Sequence, residues 1–192
     1  MRKFLLAAAA IMMAQPALAA GPEGLACMAN SYTPEQQAQL DALLPQLKIE
    51  NGGADPVGMQ MGEVAIAAAT ECSTRLGWGE AQLLPAVLFE IGRFMEAAFV
   101  KHGPMSAEEL ERIEATLADG DRTALWEALE GEVRSGMTGQ ASQDGTDNAL
   151  IYGQFMLEAG FGLDTTKAEQ IGILLGAKAM QRFSTREFGA QK

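Results

Sequence analysis

Apolar residues recur along the chain at spacings of three and four, and no stretch of β-branched residues alternates with polar ones for more than a few positions. That pattern predicts an all-α fold. Thr33-Pro34-Glu35-Gln36 supplies a capping residue, Pro at the first helical position and Gln at the third. Leu40, Leu43, Leu44 and Leu47 follow at helical spacing, in a helix that Pro45 bends or ends. Asn51-Gly52-Gly53 reads as a turn, and Asp55-Pro56 opens a helix running to about Leu76, before Gly77. The next apolar face, carried by Leu84, Val87, Leu88, Ile91, Phe94, Met95, Ala98 and Phe99, predicts a helix that begins near Leu83 to Pro85. Lys101-His102-Gly103-Pro104 ends it with basic residues, then Gly, then Pro.

Ser106-Ala107-Glu108-Glu109 is a second capping box and opens an acidic helix to about Ala118. Asp121 starts another through Leu125, Trp126 and Leu129. The Gly-, Ser-, Gln- and Asp-rich stretch from Met137 to Thr146 reads as a mobile loop, Asp147 begins the next helix, and Thr166 with Glu169 caps the last. The expectation is a single-domain bundle of about six to seven helices over residues 20–192, without a fixed-period repeat.

Two helix faces are built from small residues. Gly58, Gly62, Ala65, Ala69, Cys72 and Leu76 lie within about 80° of one another at 100° per residue. Gly172 and Gly176 share a face with Ala179 in the last helix, which is apolar almost all round and therefore central. A close crossing of these two helices is predicted. In the helix between them, Phe89 and Val100 fall among Arg93 and Glu96 on the side that should meet water, so Phe89, Arg93 and Val100 form a candidate interaction surface.

The segment before this pattern is of another kind. Arg2 and Lys3, an apolar run from Phe4 to Ala14, and small residues at Ala17 and Ala19 read as a secretory signal over residues 1–19, and the expected location is periplasmic or secreted. Removal of Arg2 and Lys3 from the 14 basic residues leaves 12 against 25 acidic ones, a formal charge of −13. Such a chain repels phosphate backbones and anionic headgroups, which argues against nucleic-acid partners. The apolar stretch 82–100 carries Glu90, Arg93 and Glu96, each costly at a bilayer centre, so no stable membrane insertion is expected.

Export changes the reading of the two cysteines. A lipid-modified cysteine takes Leu three residues before it, but Gly24 holds that position before Cys27. An even count in an oxidising compartment favours a Cys27–Cys72 disulfide, which would tie the N-terminal segment 20–32 to a helix. Without a C-x-x-C pair or a basic neighbour in sequence, Cys27 is not expected to be a redox catalyst.

Other chemistry is sparse, and no catalytic residue, cofactor site or metal site is assigned. His102 is the only histidine and sits where a cationic ring meets a helix C-terminus. Glu108, Glu109, Glu111 and Glu114 lie on a solvated face, whereas Glu90 borders an apolar one within reach of Arg93. Met59 and Met61 diverge by about 200° on a helix and cannot share a soft metal ion there. Asp144 to Asn148 lacks the ligand spacing of a calcium loop. Three functions stay open. The first is an interaction or accessory module of the cell envelope, pairing with itself as a homodimer or with another exported protein. The second is a carrier of a small apolar ligand walled by Phe94, Met95, Phe99, Phe155 and Met156. The third is an enzyme whose carboxylate site, at Glu90 or Glu158, forms only by tertiary contacts.

Overall fold

The computed structural model describes residues 24–47, 55–139 and 145–191, which fold into eight α-helices and one short 3-10 turn with no strand among them. The signal-like residues 1–19 and the turn at Asn51-Gly52-Gly53 lie outside the described residues.

Helix α1 (Ala26–Asn30) is a single turn. The Thr33–Gln36 capping box starts α2 (Pro34–Leu43), which passes into a 3-10 turn at Leu44–Gln46 where Pro45 ends the regular helix. Asp55 accepts a 2.7 Å hydrogen bond from the Gly58 amide to start α3 (Pro56–Leu76), and Gly77 closes it at φ 70°. Helix α4 spans Glu80–His102 and begins three residues before the predicted Leu83. The Gln82 side chain reaches back to the Gly79 amide, so capping is already complete upstream of Pro85. Pro85 sits within the helix, and its ring leaves one carbonyl of the preceding turn without a helical donor.

Helices α5 (Ala107–Ala118), α6 (Thr123–Thr138), α7 (Gly145–Glu158) and α8 (Thr165–Ala190) complete the chain. Ser106 and Glu109 form the expected box. The cap of α8 is Asp164, whose carboxylate accepts from the amides of Thr166 and Lys167, so Thr166 is not the cap. A carboxylate two residues upstream wins because it can take both amides and complements the helix dipole.

Helices α4 and α8 are the central pair and run against each other over most of their lengths. Their close approach is at Gly92, where an added Cβ would stand 2.9 Å from the Ala177 carbonyl oxygen and 2.9 Å from Gln181 Cγ. This corrects the predicted crossing of α3 with α8. The small face of α3 does bury Ala65 and Ala69, but against α4, beside Phe94 and Ala98 on one side and Ala86 and Phe89 on the other. Gly62 and Gly176 have nothing within 4 Å of an added Cβ, Gly172 meets only Tyr152, and the amide of Gly58 serves the α3 cap.

Three apolar clusters flank the central pair. Phe99, Ile113, Leu125, Phe155, Met156, Ile171 and Leu174 join α4 to α5, α6, α7 and α8. Leu25, Met28, Cys72, Ala86, Phe89 and Phe188 join α1 and α3 to the ends of α4 and α8, and Leu40, Leu44, Met61 and Phe94 seat α2 on α3 and α4.

Candidate functional site

The charged residues in the middle of α4, Glu90, Arg93 and Glu96, are turned onto partners within the protein. Glu90 has no exposed surface, and its carboxylate accepts a 2.6 Å hydrogen bond from the Tyr32 hydroxyl and two, of 2.8 and 2.9 Å, from Arg93 Nη1. Burial pushes the Glu90 carboxyl above its ordinary range, while the Arg93 charge and the Tyr32 hydroxyl act against that shift. The Tyr32 hydroxyl is itself raised, first by burial and then by the neighbouring carboxylate. Glu96 is held from α8 by Lys178 at 2.6 Å and by Gln181 at 2.6 Å, and Lys178 also reaches Glu114 of α5 at 2.9 Å.

These contacts dissolve the expected surface of Phe89, Arg93 and Val100. Phe89 is only 7 % exposed, packed among Leu25, Met28, Ala86 and Phe188, and Arg93 turns onto Glu90. Val100, 47 % exposed, stands alone of the three at the surface. The reason is electrostatic: charged positions mark a water-facing side only when they lack internal partners, and every acid on this side of α4 has one.

Cys27 and Cys72 are bonded, with sulfurs 1.98 Å apart. Arg75, one turn along α3 from Cys72, places Nη2 2.6 Å from the Cys27 sulfur and 4.0 Å from that of Cys72. A basic group does therefore stand beside Cys27, contrary to the expectation from its sequence neighbours.

The other candidate acids are engaged as well. Glu158 is paired with Arg122 and Gln154, whose hydrogen bonds hold it below the usual carboxylate range, the reverse of what a general acid needs. Glu109 is held down to about 2 by Lys167 and the Ser106 amide. No group of three or more His, Cys, Asp or Glu side chains that could hold a metal ion occurs among the described residues, and no described helix is long and apolar enough to cross a membrane.

Two features were not read from the sequence. Leu150 and Leu157 project from one side of α7 at 70 % and 60 % exposure, and Leu163, beyond the helix end, is 80 % exposed. Their i, i+7 spacing held the signal, since residues seven apart share a helix face. The second is a cleft of about 400 Å³ between the 3-10 turn, the end of α4 and the start of α8. Leu44, Leu47, Phe99 and Ile173 line it with His102 and Gln170, and Gln170 Oε1 is buried without a hydrogen-bond partner. Of the expected ligand walls only Phe99 reaches this cleft; Phe94, Met95, Phe155 and Met156 are packed in the core. The chain matches no family model, no curated protein and no solved structure.

Proposed function

We propose that the chain is an exported accessory protein of the cell envelope that binds a partner protein through the outer face of α7. The observation that carries the reading is the row of Leu150 and Leu157, mostly exposed on one face of α7 whose neighbours Phe155 and Met156 are buried, with Leu163 exposed just beyond the helix. Leucines seven apart stand about 10 Å apart along a helix, the spacing that an opposing amphipathic helix meets with its own apolar stripe. Asp147 and Glu158 border the row, and the whole chain carries a formal charge of −11, so the partner that fits is a helix with basic flanks. The disulfide suits an oxidising, extracytoplasmic compartment.

The test uses a synthetic Leu/Lys amphipathic helix as probe and maps amide shifts by NMR, in the wild type and in a Leu150→Glu/Leu157→Glu variant. Shifts confined to α7 and the following loop, and lost in the variant, support the reading. Shifts spread over the acidic surface, or unchanged in the variant, overturn it. Sedimentation of the same samples reports self-association. A dimer dissolved by the variant would replace the foreign helix with a second copy.

A small-ligand reading rests on the cleft, whose walls at Leu44, Leu47, Phe99 and Ile173 suit a compact apolar molecule. Native mass spectra of gently extracted protein would show that ligand as added mass, and bare protein would count against it.

A further inference from the structure

The disulfide fastens more than one helix to another. Residues 24–32 form a strap whose Leu25 and Met28 are buried against Ala69, Phe89 and Phe188, and whose last residue, Tyr32, covers the carboxylate of Glu90. The two sulfurs differ in access, since Cys27 is half-buried whereas Cys72 has no exposed surface. Arg75 is exposed and directs its guanidinium at the more accessible sulfur. Beside a neutral disulfide a guanidinium gains little, but beside a thiolate it gains an ion pair, so this placement favours the reduced form and the path to it.

We propose that Cys27–Cys72 is a thiol-exchange site whose reactant is a dithiol, and that opening it releases the strap and lifts Tyr32 from Glu90. In the first step a thiolate of the dithiol attacks Cys27 Sγ, a new S–S bond forms there, and the Cys27–Cys72 bond breaks. Cys72 leaves with the electron pair as a thiolate and takes a proton from water once the strap has lifted. The second thiol then attacks the mixed disulfide on its own sulfur, and Cys27 leaves as a thiolate stabilised by Arg75. The dithiol is oxidised to its disulfide by two electrons, and the two cysteines are reduced.

The experiment treats the oxidised protein with reduced glutathione to trap the first adduct and with dithiothreitol to open the bridge. Peptide mass spectrometry locates the adduct, and hydrogen exchange follows residues 25–32. The expected results are glutathione on Cys27, several-fold slower opening in Arg75→Gln, and lost amide protection in the strap while α4 and α8 keep theirs. An adduct on Cys72, wild-type opening rates in Arg75→Gln, or a strap still protected after reduction would overturn the proposal. Loss of protection throughout α4 and α8 would also overturn it, because the bridge would then support the whole fold. A Cys27→Ser/Cys72→Ser variant checks the reduced state without reagent.

Discussion

Tyr32 and Glu90 meet across 58 positions of sequence, the hydroxyl of one donating at 2.6 Å to a carboxylate of the other that has no contact with solvent. Replacing Tyr32 with Phe keeps the ring against Phe94 and removes only the hydroxyl. A hydrogen bond to a charged group is worth about 1.5–3 kcal/mol, so urea unfolding of Tyr32→Phe should show a lower midpoint with the same slope. An unchanged midpoint would mean that Arg93 alone satisfies the carboxylate.

Glu90 also predicts a pH dependence of definite sign. Burial raises its folded pKa above the ordinary value of 4.5, so the folded state holds this proton more tightly than the unfolded chain does. Its contribution is fully present below that value and is lost as pH rises through the raised one. Glu109, lowered to about 2, acts in the opposite sense, its contribution disappearing as pH falls from 4.5 toward about 2. Comparing Glu90→Gln with the wild type separates the two. As pH rises above 4.5 the wild type should lose stability relative to Glu90→Gln, and parallel curves would refute the assignment.

The central crossing is tested by two glycines of α4 and α8. At Gly92 a Cβ meets the backbone of Ala177, which belongs to the facing helix and cannot turn aside, so Gly92→Ala should destabilise by about 1–3 kcal/mol. At Gly176 the same change meets nothing within 4 Å, and helix propensity alone should stabilise by up to about 1 kcal/mol. Thermal melts of the two variants should move in opposite directions. Had the predicted α3–α8 crossing been correct, Gly176 would have been the intolerant one.

What the sequence discloses follows the range of the interaction. Thr33, Asp55 and Ser106 announce their helices because each caps an amide three residues on, and Gly77 and Gly103 stop theirs locally. Two cysteines admit one intramolecular pairing. The Phe94, Met95, Ala98 and Phe99 face of α4 was legible and is buried, but the fate of its charged side was not, since Glu96 finds Lys178 82 positions away and Glu90 finds Tyr32 58 away. Arg75 beside Cys27 is likewise a product of the fold. At α8 the Thr166–Glu169 pattern reads as the cap, whereas Asp164, two residues earlier, holds the amides of Thr166 and Lys167.

Phe89 is assigned to water by its polar neighbours on α4 and to the core by the fold. Phe89→Glu would put a carboxylate among Leu25, Met28, Ala86 and Phe188, one residue from the already buried Glu90. Both the lost ring and an unpaired buried charge oppose folding, for a destabilisation of about 4 kcal/mol or more. Leu157→Glu, at a 60 % exposed position, should change stability by no more than about 0.5 kcal/mol. Circular dichroism melts of the pair therefore discriminate core from surface. If Phe89→Glu melts with the wild type while Leu157→Glu unfolds early, the assignment of both faces is reversed, and the candidate binding surface moves from α7 back to α4.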